Sequence, residues 1–189
     1  MDFAHLAHTC APAADPELLA AIVRVESGFN PFAIGIVGDA LVRQPTHLAE
    51  AVATTRALSH GGLNFSIGLA QVNKAHFDRL GWGVDGRDGF EPCTNLQAAA
   101  QILEQCHSSA LTKGYPATQS LTDATTAPTP YTATHAALSC YYSGDHLRGA
   151  RLGYVARVLG RRSMPPPRAP ETRQARTPTS MMLDTHEQE

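Results

Sequence analysis

The sequence predicts a mainly α-helical domain followed by a disordered tail. Three observations carry that expectation. Most of residues 1–162 fall into stretches whose apolar positions recur at three and four, opened by capping residues or closed by glycine. One of these, the Leu96, Ala99, Leu103, Cys106, Ala110 stripe, is long and Ala-rich, as a closely packed central helix requires. From Ser163 the periodicity stops: Pro165-Pro166-Pro167 leads into Arg, Thr, Gln, Glu and Ser, which cannot build a core. The expected organisation is therefore one domain over 1–162 and a Pro-rich tail over 163–189.

Taken in order, residues 1–14 read as a short unstructured lead-in. Asp15-Pro16 opens the first helix, Asp as N-cap and Pro at the first helical position, and the helix runs to about Ser27. Phe29-Asn30-Pro31 begins an irregular loop that Gly35, Gly38 and Asp39 extend to about Pro45. Thr46 to His60 reads as a second helix, closed by Gly61-Gly62. A turn or short extended piece over Asn64–Gly68 precedes a third helix, expected to reach Leu80 and stop at Gly81. Trp82 to Cys93 is Gly- and Asp-rich loop, and the central helix follows Thr94. Thr118 to Pro130 reads as a mobile loop, Thr134 to Ser143 as a fifth helix, and Leu147 to Leu159 as a sixth.

At 189 residues the chain is long enough for a real core. A net charge of -2 with 6% aromatic residues gives no nucleic-acid footprint. No apolar run reaches the roughly 18 residues of a membrane span. Met1-Asp2-Phe3-Ala4-His5 lacks the basic and apolar regions of a signal peptide, so none is visible. His5 and His8 are a nominal metal pair, but histidines in an unstructured lead-in are ordinarily solvated. Nine scattered histidines without H-E-x-x-H point to no metal and no cofactor.

Four cysteines, Cys10, Cys93, Cys106 and Cys140, contain no C-x-x-C pair. If the segment after Asn95 is helical, Cys93 and Cys106 stand on the order of 17 Å apart, too far to pair. That leaves Cys10–Cys106 with Cys93–Cys140, or Cys10–Cys140 with the other two unpaired. Four reduced core thiols are the remaining alternative.

Within the first helix, Leu18, Leu19, Ile22 and Val23 make an apolar face, and Glu26 belongs to it. Apolar neighbours, loss of water and the negative end of the helix dipole all raise a carboxyl pKa there. A general acid working near neutral pH needs that shift. Farther on, Gln71 and Asn73 are neutral amides among small apolar residues, suited to sugar hydroxyls and acetamido groups.

Three segments stand in a telling order: Glu26-Ser27-Gly28-Phe29-Asn30-Pro31, Gly68-Leu69-Ala70-Gln71-Val72-Asn73, and Ala137-Leu138-Ser139-Cys140-Tyr141-Tyr142-Ser143-Gly144. They resemble the signatures of lytic transglycosylases of the lysozyme-like superfamily. The chain looks most like the class associated with type IV secretion and conjugation. Cys10-Ala11-Pro12, Phe90-Glu91-Pro92-Cys93-Thr94-Asn95-Leu96 and Gly153-Tyr154-Val155 match that class too, so the resemblance spans roughly residues 10–160.

The resemblance implies a goose-type lysozyme-like (SLT) helical fold and a groove for peptidoglycan glycan strands, with Glu26 as the single catalytic acid/base. The reaction it implies cleaves between N-acetylmuramic acid and N-acetylglucosamine and leaves an anhydro-muramic end. Gly68, Leu69 and Gln71 match the groove segment, with Gln71 as sugar contact. Tyr141 matches the tyrosine that helps hold the Glu, and Ser27 is the second residue of its motif. Tyr154 suits core and groove equally. The pattern departs at Tyr142, where relatives have Asn, at Gly35, where they have Ser, and at Ala70, where they have Met. Ser66 is a candidate to restore the missing hydroxyl. A hydrolytic muramidase would need a second carboxylate, for which Asp39 and Asp78 are nominal candidates. A glycan-binding assembly protein that no longer cuts is the third reading. The substrate places the expected work in the periplasm, with type IV secretion or conjugation channel proteins as expected partners.

Overall fold

Asp15 does what its position predicts: its Oδ1 accepts from the amides of Glu17 at 2.9 Å and Leu18 at 3.2 Å, starting the helix that carries Glu26. The computed structural model describes residues 2–117, 131–162 and 164. The expected loop over 118–130 and the tail from 163 fall, apart from Met164, outside the described residues.

In chain order the helices are α1 (Phe3–Cys10), α2 (Pro16–Glu26), α3 (Leu48–His60), α4 (Phe77–Leu80), α5 (Pro92–Thr112), α6 (Ala133–Ser143), α7 (Arg148–Arg151) and α8 (Tyr154–Leu159). Short strands β1 (Ile34–Ile36), β2 (Phe65–Ile67) and β3 (Val72–Asn73) form one antiparallel sheet in the order β1-β2-β3. The chain is mostly helical, as expected. Leu19 and Ile22 of α2, Ile34, Phe65 and Ile67 of the sheet, Leu96 of α5, Leu138 of α6 and Val158 of α8 share one core. No described helix is long and apolar enough to cross a membrane.

Several expectations need correction. The lead-in is helical: Phe3, Ala7 and Cys10 form a buried stripe, and the side chain of Asp2 caps it. His5 and His8 lie on its exposed outer face. The loop after Pro31 contains β1, whose edge is held by a side chain rather than a strand. Gln44 accepts from the Ile34 amide at 2.8 Å and donates to its carbonyl at 3.0 Å.

The expected third helix survives only in its last part, a 3-10 turn over Lys74–His76 that runs into α4 and stops at Gly81. Before it the chain makes a β2–β3 hairpin, because Gly68 and Gln71 adopt left-handed conformations, φ 77° and 51°, that no helix contains. The expected helix over Leu147–Leu159 is two helices, broken where Gly153 takes φ 74°. Leu152 consequently faces out, 53% exposed, while Tyr154 turns into the core.

Both expected disulfide pairings are replaced. Cys10 joins Cys93, and Cys106 joins Cys140, with Cα–Cα distances of 5.1 and 5.7 Å. The separation of Cys93 and Cys106 along one helix holds. What shifted the pairing is that α1 is itself a helix packed on α5, which delivers Cys10 to the start of α5. Cys106 is then left for α6, which packs along the same helix.

Candidate active site

Glu26 is the last residue of α2, and the residues after it cannot extend the helix. Ser27 closes it, its amide and hydroxyl both donating to the Val23 carbonyl at 3.0 and 3.2 Å. Gly28 and Phe29 then both take positive φ, 60° and 69°. The carboxyl thus stands at the negative end of the helix dipole, half-buried, on the wall of a groove of about 940 Å³. Burial raises its pKa from 4.5 to about 7, while the neighbouring Tyr154 hydroxyl and the Arg157 charge pull in the other direction. Among the described residues lining the groove, Glu26 is the one carboxylate. Asp39 and Asp78 are not part of that wall.

Two tyrosines stand close enough to feel the Glu26 charge. Burial and then Glu26 push the phenols of Tyr141 and Tyr154 well above their ordinary range, so both stay neutral donors. The Tyr154 ring is fully buried, and its hydroxyl lies against the Glu26 carboxyl, whose pKa it lowers as a hydrogen-bond donor. The Tyr141 hydroxyl is committed elsewhere: it donates to the Ala70 carbonyl at 2.6 Å.

Ala70 is also held through its other backbone group. Its amide donates to Asn95 Oδ1 at 2.8 Å, and Asn95 Nδ2 donates to Ile67 at 3.0 Å and Gly89 at 2.7 Å. Motif and composition did not single out a role for Asn95 itself. Its signal was present: Asn95 falls in register with Ala98, Ala99 and Ile102, so a lone amide sits on the inward stripe of α5.

The hairpin turn held in this way presents Gln71 to the groove. Gln71 Nε2 donates to the carbonyls of Ala33 and Gly68, both at 3.0 Å. Its Oε1 lies 2.7 Å from where a Cβ on Gly35 would be, so glycine at 35 makes room for this amide. Ser66 pairs directly opposite Gly35 in the sheet, and Asn73 Nδ2 donates to the Ser66 hydroxyl at 3.2 Å. Ser66, Gln71, Asn73, Tyr141 and Tyr142 all line the groove with Glu26.

Ser27, Gly68, Leu69 and Tyr154 are not on that wall. Leu69 is buried in the core, and a Cβ on Gly68 would strike the Asn95 side chain and the Gly89 carbonyl. Both shape the turn from behind. No cluster of three metal-ligating side chains occurs among the described residues.

The transglycosylase SLT domain family matches residues 4–144. The chain belongs to that family. The SLT match takes in Glu26, the hairpin and both Tyr141 and Tyr142, whereas Tyr154 and Arg157 lie beyond it. The chain is 44% identical over 162 residues to the type IV secretion system protein virB1 of Brucella abortus, covering 83% of this chain and 62% of that protein. It is 32% identical over 159 residues to the protein virB1 of Agrobacterium fabrum, covering 83% and 58%. The SLT chain thus spans about three fifths of the length of these relatives. No solved structure matches it.

Proposed function

We propose that this SLT domain is a peptidoglycan lytic transglycosylase, cleaving the bond between N-acetylmuramic acid and N-acetylglucosamine. The observation that carries the reading is a single groove carboxylate whose pKa is raised to about 7. Neutral Glu26 donates its proton to the glycosidic oxygen as the bond from the muramic anomeric carbon to that oxygen breaks. The resulting carboxylate takes the proton from the muramic C6 hydroxyl, whose oxygen bonds to the anomeric carbon. Glu26 ends as it began, and the product carries a 1,6-anhydro end. One group serves as acid and then base, so no second carboxylate is required, in contrast to glycosidases that use a nucleophile or activate a water.

In this reading Gln71, Asn73 and Ser66 offer polar atoms to the sugar, while Asn95 and Tyr141 fix the backbone that presents them. The names of the relatives support a task in type IV secretion, the enzyme opening the wall locally for assembly of the channel. Peptidoglycan as substrate puts the work in the periplasm, and the two disulfides suit that oxidising compartment. Mass spectrometry of peptidoglycan digested by the protein and by Glu26→Gln tests the reading. Anhydro-muramic ends from the parent protein alone are expected. Reducing ends would make it a hydrolase, and binding without products would leave a glycan-binding assembly protein.

A further inference from the structure

The end of α6 places an aromatic ring in the groove that the acid–base chemistry does not use. Tyr142 lines the groove and is 44% exposed. Its ring lies nearly parallel to that of Tyr154, 18° between planes and 4.5 Å between centroids. One face of Tyr142 is therefore covered by a ring that belongs to the core, and Tyr142 cannot fold inward because Tyr154 occupies that space. Arg157 braces the same ring, its guanidinium 5.9 Å from the Tyr154 centroid. What remains of Tyr142 is a flat apolar surface held open to the groove.

A pyranose ring has a matching shape. Its hydroxyls radiate near the ring plane, which leaves a face of C–H bonds that packs on an aromatic ring. The location also fits: Tyr142 lines the same groove as Glu26, and Tyr154, on which it stacks, has its hydroxyl against that carboxyl. An asparagine at position 142 offers amide hydrogen bonds but no flat apolar surface.

We propose that Tyr142 is a stacking subsite for one pyranose ring of the glycan strand, beside the bond that Glu26 cuts. The proposal rests on the transglycosylase reading and adds how the strand is held. In place of an amide contact, the chain uses an aromatic platform that is shared with the tyrosine beside the acid.

The test separates binding from cleavage by working in the Glu26→Gln background with a soluble N-acetylglucosamine–N-acetylmuramic acid tetrasaccharide. In an NMR titration, stacking moves the C–H protons of one sugar upfield through the ring current of Tyr142. Tyr142→Phe is expected to keep those shifts and to bind within about twofold of the parent, because the ring face is unchanged. Tyr142→Ala and Tyr142→Asn are expected to lose the shifts and weaken binding about tenfold. If the Ala variant does not fold, the Asn variant carries the comparison.

A purely structural ring would alter stability and leave no upfield shift to lose. Tetrasaccharide bound without those shifts, or bound equally by the Asn variant, overturns the subsite while the glycan groove stands. Failure of the tetrasaccharide to bind with Tyr142 intact overturns the groove reading and the subsite together.

Discussion

On the proposed mechanism, Glu26 couples both activity and stability to pH. As the proton donor of the proposed mechanism it must be neutral, so kcat/KM should fall as pH rises through about 7. For stability, its folded pKa of about 7 lies above the ordinary 4.5, so folding takes up a proton between those values. The stability of the folded state therefore falls as pH rises through that window, and the penalty is complete above it. Glu26→Gln removes the penalty. The variant should be more stable than the parent above neutrality, by on the order of 1–3 kcal/mol, and equal to it at about pH 4. Urea unfolding at the two pH values checks this, and equal stability at both would mean that the carboxyl is better solvated than its surroundings imply. Helix geometry made the burial of this residue legible, because the Asp15-Pro16 start fixes the phase and the phase puts Glu26 on the apolar face, whereas its role as acid/base rests on the motif resemblance.

At the scale of elements, legibility tracked how much of the ordering is local. The helix α2 has its cap and its stripe within a dozen residues, and its bounds were readable to within a residue. The β2–β3 hairpin has strands of only three and two residues, too short for a period-2 pattern, and its turn is imposed from outside by Asn95 and Tyr141. Small apolar residues around Ala70 then imitate a helix. The same dependence makes Asn95 a strong test. Asn95→Ala leaves the Ala70 amide and the Ile67 and Gly89 carbonyls without their side-chain partner in a dry site. A loss of about 2–4 kcal/mol is expected from stranded polar groups. Because the lost bonds position Gln71, kcat/KM should also fall in a protein that is still folded at low temperature. Full activity in a destabilised variant would separate the turn from the groove.

For the whole molecule, the two disulfides divide labour, and their pairing depended on an element that local sequence did not reveal. With α1 taken for coil, nothing placed Cys10 at the start of α5; once the Phe3, Ala7, Cys10 stripe is buried, the pairing follows from packing. Cys10–Cys93 closes a sequence separation of 83 residues and Cys106–Cys140 one of 34. Chain entropy makes the longer closure worth slightly more, about 4.5 against about 4 kcal/mol as upper values. Location reverses the order for activity. Cys106 and Cys140 border the groove, and Cys140 is followed directly by Tyr141 and Tyr142, whereas Cys10–Cys93 is not part of the groove wall. Replacing Cys10 and Cys93 together by Ala should therefore lower the unfolding free energy at least as much as replacing Cys106 and Cys140. The second pair should cost more turnover at a temperature where both variants are folded, because it releases the α6 end that carries the tyrosines from α5. Denaturant curves and steady-state kinetics on the two double variants measure both quantities, and turnover lost in proportion to stability in both would assign the disulfides to the fold alone.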